Sequence, residues 1–138
     1  MNKRIIILLA LFLCSNSSVF ADDFAEIKGV LQKYIDGTSQ GKPELVEEAF
    51  LPTLEVQYVW EDGVFRRITG SDYIANIKPG IAVDRVANIA SIEVTGNAAI
   101  AKITIIFKQE HVYTDYLLLL KLNDGWRVSN KIATRRLK

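Results

Sequence analysis

Asp115 is the residue whose setting most needs a chemical explanation. It lies in the apolar run Tyr113 to Leu122 and, at alternate spacing, shares a strand face with Leu117 and Leu119. A carboxylate on a leucine-lined face must be partnered or must hold its proton. Lys131 and Asn130, in the last apolar run, are the candidate partners. The preferred reading of Asp115 is a structural hydrogen bond or a surface ion pair at a strand end, since structural pairs perturb carboxylates as readily as active sites do. A second set is aromatic: Tyr34, Phe50, Tyr58, Trp60, Tyr73, Phe107, Tyr113 and Trp126. Rings lining a concave pocket stack flat heterocycles or steroid-like molecules, although about half of such rings serve packing alone. With Asp115 and Asn130 these eight make up the expected ligand pocket.

Other chemistries find little support. His111, the one histidine, follows Glu110 at an expected strand connection with no ligand spacing around it, so it reads as an exposed turn residue, and no metal site is expected. A Ser/His/acid triad would need His111 and a nucleophile elbow, and the elbow is missing. No glycine-rich phosphate loop is present, and no cofactor is implied. Arg66 and Arg67 point to opposite faces of any strand that carries them, so at most one can enter a pocket; exposed hairpin charges are the default reading.

The N-terminus reads as an export signal. Lys3 and Arg4 precede the unbroken apolar run Ile5 to Leu13, which is well short of the roughly 20 residues of a membrane span. Ser15 to Ser18 and then Val19-Phe20-Ala21 place suitable residues for cleavage after Ala21. A lipid anchor on Cys14 is disfavoured, because Leu13 stands where Gly or Ala normally precedes such a cysteine. Residues 1–21 are thus expected to be a signal peptide, with a single cysteine-free domain over 22–138 that is periplasmic or secreted and has no transmembrane helix. Without Lys3 and Arg4 the 17 basic residues fall to 15 against 16 acidic. That balance offers no basic surplus for phosphate contacts, so no nucleic-acid partner is expected. The cluster Arg135, Arg136 and Lys138 reads as a solvated tail.

The elements that must position these residues follow from apolar periodicity. Phe24, Ile27, Val30, Leu31, Tyr34 and Ile35 predict a helix opening at Asp22-Asp23 and closing at Gly37, with a loop over Ser39 to Lys42. Pro43 opens a short second helix with Leu45, Val46, Ala49 and Phe50 on its apolar face, and Pro52 stops it. Alternation from Leu54 to Trp60, the turn Asp62-Gly63 and the return Val64 to Thr69 predict a hairpin. Ser71 or Asp72 caps a third helix carrying Tyr73, Ile74 and Ile77. Four antiparallel strands follow: Arg85 to Val94, Ala98 to Lys108, Tyr113 to Leu122, and Trp126 to Thr134, with Gln109 to His111 a connection. Leucines on both faces make Tyr113 to Leu122 a central strand. On the last strand Trp126, Val128, Asn130 and Ile132 should share one face. Helices grouped before a meander indicate an α+β fold with the first helix across a concave sheet.

In order and spacing these pieces resemble the nuclear-transport-factor-two-like superfamily, which includes ketosteroid isomerases and polyketide cyclases. Within it the chain is most similar to the putative lumazine-binding family. The resemblance runs through Ile27 to Gly37, Gly41, Ala49-Phe50 before Pro52, Asp62-Gly63, Ile92, Val94, Gly96, Ala98-Ala99 and Ala101-Lys102. Its most specific part is Asp115-Tyr116-Leu117, Leu119-Leu120-Lys121, Asp124-Gly125-Trp126 and Asn130-Lys131. The chain departs from the pattern at Gly41-Lys42, where Gly-Asp is frequent, and at Phe50-Leu51-Pro52, where Phe-His-Pro is frequent. The resemblance implies a cone-shaped, cystatin-like half-barrel of about three helices on a curved, mostly antiparallel sheet of about six strands. It also implies a pocket between sheet and helices, and homodimers formed through the outer sheet face. Carried over from the isomerases, Tyr34 and Asp115 would be the oxyanion-stabilising pair. The base would then fall near Tyr58, where a neutral phenol is a poor base. The expected function is therefore an exported, non-enzymatic binding domain for a small aromatic or apolar ligand. The alternatives are an isomerase or cyclase using acid–base chemistry in the cone, and a partner-binding or assembly subunit using the outer sheet face.

Overall fold

The computed structural model describes residues 5–107 and 111–137. Lys3, Arg4, Lys108, Gln109, Glu110 and Lys138 therefore lie outside the described residues. Helix α1 spans Ile5–Gln40. It begins well before the expected Asp22, because the run that precedes Asp22 is itself rich in leucine and alanine, which favour helix. Its buried stripe is Asp23, Ile27, Val30, Leu31, Tyr34, Ile35 and Thr38. Phe24, expected on that stripe, is instead 47% exposed, because the stripe begins one residue earlier with a carboxylate. The helix also passes Gly37 and takes in Ser39 and Gln40; the left-handed Gly41, φ +66°, follows its end. Gly37 serves a different purpose. A Cβ there would come within 2.5 Å of Val46 Cγ2 and 2.9 Å of the Lys42 carbonyl, so its bareness lets helix α2 (Pro43–Ala49) lie against α1.

The hairpin of β1 (Glu55–Val59) and β2 (Phe65–Thr69) turns at Gly63, φ +75°, where the Asp62 side chain accepts from the Val64 amide. The cap of α3 (Gly70–Ala75) is Thr69, whose hydroxyl accepts from the Asp72 amide, rather than Ser71 or Asp72. The meander is β3 (Arg85–Thr95), β4 (Ala98–Phe107), β5 (His111–Leu122) and β6 (Gly125–Leu137). Sheet order is β2-β1-β6-β5-β4-β3, with β1 and β6 parallel and every other neighbour antiparallel. Three helices thus pack on a curved, unclosed six-stranded mixed sheet, the cystatin-like half-barrel. Among the described residues no helix is long and apolar enough to cross a membrane.

β6 departs from simple alternation by one residue, as β3 does at Ala90. Leu119 pairs with Val128 but Leu118 pairs with Asn130, so Ser129 is an extra residue, and its hydroxyl bonds the Leu118 carbonyl at 3.1 Å. This bulge inverts the side-chain order of the strand. Trp126 and Val128 face the core, then Lys131 does, while Ile132 turns outward and is 50% exposed. Asn130 and Ile132 therefore do not share the face of Trp126 and Val128. The inner face of the sheet packs Ile103, Leu117, Leu119 and Val128 against Ile27, Leu31 and Tyr34 of α1. Each such fully buried aliphatic side chain contributes about 1.5–3 kcal/mol. β5 is central, but its leucines divide: Leu117 and Leu119 are buried, and Leu118 and Leu120 are more than 40% exposed on the outer face.

Candidate functional site

Register places the site. Across the inner face, Val56, Lys131, Leu117 and Ala101 stand in one row, and Tyr58, Ala133, Asp115 and Ile103 in the next. Arg135, Tyr113 and Ile105 form a third row, and His111, Phe107 and Arg85 a fourth. α1 covers the first rows and ends at Gln40, so the sheet beyond is left open. A cavity of about 390 Å³ fills that space, running from Lys131, Asp115, Tyr34 and Tyr73 at its deep end to Phe107 and Arg85 at its mouth.

The deep end is a closed polar cluster. Lys131 Nζ donates to Tyr34 Oη at 2.6 Å and to Tyr73 Oη at 3.3 Å, and lies 3.0 Å from Asp115 Oδ2. Tyr34 Oη donates to the same Asp115 oxygen at 2.6 Å and lies 3.2 Å from Tyr73 Oη. The ammonium also sits 4.9 Å from the Tyr34 ring centre and 4.6 Å from that of Tyr73. Burial pulls the Lys131 ammonium down, but Tyr73 and Asp115 outweigh it and hold the group above its ordinary value. Burial, with Tyr73 and Asp115 nearby, pushes the Tyr34 phenol well above its own. The cluster therefore contains a cationic lysine and a neutral Tyr34. Asp115 accepts both of its bonds on Oδ2; Oδ1 takes none from the described residues, and Asp115 lines the cavity.

The walls are apolar and aromatic. Phe107 and Tyr113 meet edge to face at 5.3 Å, as do Tyr58 and Trp60 at 5.9 Å. At the rim the Arg135 guanidinium lies 4.4 Å from the Trp60 ring centre and pairs with Glu61. Arg135 is thus a half-buried strand residue rather than part of a solvated tail.

Of the ten residues expected in the pocket, Tyr34, Tyr58, Trp60, Tyr73, Phe107, Tyr113 and Asp115 line the cavity. The structure places the other three elsewhere. Phe50 is a core ring stacked on Tyr34 at 5.6 Å. Trp126 is buried at the far end of the sheet, with its indole N–H on Asp23 at 3.0 Å. Asn130 faces outward because of the Ser129 bulge. Asp115 is not a surface pair at a strand end but is 1% exposed in mid-strand, with Lys131 as its partner. Arg66 and Arg67 do not enter the cavity; they pair with Asp62 and Glu55 at the surface. His111 is no exposed turn residue. It opens β5, half-buried, with its backbone in register with Phe107 and Leu137, and its Nδ1 is buried without a partner among the described residues. No group of side chains suited to a metal occurs among the described residues.

Arg85 lines the mouth and was not foreseen. Its Nε donates to Ser39 Oγ at 3.0 Å and its Nη2 to Thr38 Oγ1, both hydroxyls lying in the last turn of α1. The only signal in the sequence was an arginine opening an apolar strand.

With respect to isomerase chemistry, Tyr34 and Asp115 are turned toward each other. The phenol donates to the carboxylate, which accepts rather than donates. No carboxylate or histidine occupies the inner face of β1, where Val56 and Tyr58 stand.

A family model described as Putative lumazine-binding matches residues 22–132. Among curated proteins none matches. Solved structures share the fold. An NTF-2-like protein of unknown function from Silicibacter pomeroyi DSS-3 superposes with TM-score 0.75 at 18% identity, covering 85% of this chain and 98% of that one. An NTF2-like protein of unknown function from Shewanella baltica OS155 gives 0.74 at 26%, covering 85% and 96%. A ketosteroid isomerase-like protein from Erwinia carotovora atroseptica gives 0.60 at 14%, covering 80% and 94%.

Proposed function

Because the chain belongs to the putative lumazine-binding family, we propose that it is an exported, non-enzymatic domain that binds a small, flat, largely apolar ligand in the cavity between its sheet and first helix. The observation that carries this reading is the cavity itself. It is of a size that takes small molecules, apolar over most of its wall, with a few polar groups converging at one end. Against catalysis stand the mutual engagement of Tyr34 and Asp115 and the lack of a base on β1. Thermal-shift screening of residues 22–138 against aromatic small molecules tests the reading. A rise in melting temperature that is abolished by filling the cavity with I105W is expected; no rise with any compound overturns it.

Export is supported by the ordered charge, apolar run and cleavage residues before Asp22, and by a family match that opens at Asp22 itself. Mass measurement of the protein recovered outside the cytoplasm should give a chain beginning at Asp22. A chain that retains Met1 and stays in the cytoplasm rejects the assignment.

The outer sheet face supports a second role as an interface between two copies. Ile100, Tyr116, Leu118, Leu120 and Ile132 are each between 40% and 50% exposed on adjacent strands, a continuous apolar surface of the kind that marks interaction sites. Sedimentation should show a dimer that L118K converts to a monomer.

A further inference from the structure

We propose that the cavity is built for a monoanion, with the acid group held by Arg85 at the mouth and a hydrogen-bond donor presented to Asp115 at the deep end. This assignment rests on the small-ligand reading above and names the class of ligand.

The first argument is charge. The ionisable residues lining the cavity that carry charge at neutral pH are Arg85, Lys131 and Arg135 against Glu61 and Asp115. Lys131 is answered by Asp115 and Arg135 by Glu61. Arg85 is left over, with no carboxylate in ion-pair range among the described residues; Arg66, Arg67, Arg127 and Arg135 each have one, and Arg136, which has none either, is exposed to solvent. It is half-buried, so its charge is only partly hydrated. Its partners are neutral hydroxyls, Thr38 and Ser39, and the Phe107 ring 5.6 Å away. Thr38 Oγ1 is itself anchored on the Tyr34 carbonyl at 2.7 Å. Hydroxyls and a ring fix the plane of the guanidinium without neutralising it, and its Nη1 edge takes no bond from the described residues. A guanidinium held in that way is a receptor for a planar carboxylate or a similar oxyanion.

The second argument is Asp115 Oδ1, the second oxygen of a cavity-lining carboxylate, which takes no bond from the described residues. Facing the cavity, that oxygen is an acceptor within reach of a guest. A hydroxyl or N–H on the ligand would complete this one. Asp115 lies opposite Ile103, which lies opposite Ile89, and Arg85 is four residues before Ile89 on β3. With a strand rise of about 3.3 Å per residue and two strand spacings of about 4.8 Å between β5 and β3, the backbone positions of Asp115 and Arg85 are about 16 Å apart across the sheet. Between them the wall offers Ile105, Phe107 and Tyr113, which suit a flat hydrocarbon body.

Calorimetric titration of the purified protein with para-(para-hydroxyphenyl)benzoate, its methyl ester and para-phenylbenzoate tests both ends. The acid should bind about tenfold tighter than its ester, the worth of one charge-assisted hydrogen bond. Removing the distal hydroxyl should weaken binding several-fold. R85Q, which keeps a donor for Ser39, should bring acid and ester to the same affinity; the acid-to-ester ratio of the unaltered protein decides the matter even if that variant does not fold. Equal binding of acid and ester overturns the Arg85 assignment while leaving a small-ligand site in place. Equal binding with and without the hydroxyl overturns the Asp115 assignment alone. Failure of all three compounds to bind overturns this inference, and the small-ligand reading falls with it only if the thermal-shift screen also finds no compound that binds.

Discussion

The protein answers two inward carboxylates with the same pair of groups, at opposite ends of its half-barrel. Asp23, on the first helix, accepts from Lys121 Nζ at 2.5 Å and from the Trp126 indole N–H at 3.0 Å. Asp115 accepts from Lys131 and from the Tyr34 phenol. The chemistry is matched, a lysine and an aromatic donor on one oxygen, but the solvent is not. Lys121 keeps 38% of its side chain exposed, while Lys131 keeps 5%. At the Trp126 end, water can take over if a partner is lost. At the Tyr34 end, nothing replaces it except whatever occupies the cavity. The first cluster fastens the helix to the sheet. The second forms the floor of the cavity, where one carboxylate oxygen takes no bond from the described residues.

The difference should appear most strongly when each lysine is removed. K131M leaves a buried carboxylate unpaired and is expected to cost about 3–5 kcal/mol in urea unfolding. Replacing both partners, D115L with K131M, should recover more than half of that loss, since an apolar pair avoids the desolvation of both charges. If the double variant is no better than the single one, the cluster contributes more through Tyr34 and Tyr73 than through its ion pair.

Y34F is expected to cost less, about 1–3 kcal/mol, because it removes one hydroxyl from a network in which Lys131 still reaches Asp115. The same measurement on W126F, which leaves Asp23 bonded to Lys121, compares the two aromatic donors directly. The loss from Y34F should be the larger of the two once the smaller volume of phenylalanine at position 126 is allowed for by a cavity-matched control.

How far this contrast was visible beforehand depends on the residue. Asp115 among leucines announced its need for a partner, and Lys131 was one of two named because both lie on the neighbouring strand. Asp62-Gly63 marked its turn, since few residues tolerate the backbone that turn requires. The Ser129 bulge was not legible: Val128, Asn130 and Ile132 continue the alternation without a break, and only pairing with β5 reveals the extra residue. Asp23 was read as a helix-opening charge because its two partners are Lys121 and Trp126, about a hundred residues away. Arg85 carried no local mark, since its role comes from where α1 ends in space. Residues whose function depends on local backbone chemistry could be read from the chain; those defined by distant strands meeting could not.

The pH response should separate the clusters. Lys131 and Tyr34 both have folded-state values raised above their unfolded ones of about 10–10.5. Their stabilisation is therefore complete below about pH 10 and is lost as pH rises through the folded values. The Asp23 carboxyl is held low, first by its hydrogen bond from Lys121 and then by that from Trp126. Its contribution is present above the unfolded value of about 3.9 and is lost as pH falls through the folded one. Melting temperatures measured across pH should show K131M flattening the alkaline limb and D23N flattening the acid limb, with neither variant altering the other limb.

The smallest effect belongs to Lys121. K121M removes an ammonium that water already reaches, from a carboxylate that still accepts the Trp126 indole. Exposed pairs contribute little because solvent screens the charges and the long side chain loses entropy when it is held. The fall in melting temperature should be less than half of that caused by K131M, and 1 M salt should remove most of what remains while leaving the K131M deficit in place, since a Debye length of about 3 Å screens the exposed pair far more than the buried one. If K121M and K131M destabilise equally, or if salt erases both deficits, then solvent access does not distinguish the two carboxylates. The cavity floor would then be no more sheltered than the protein's edge.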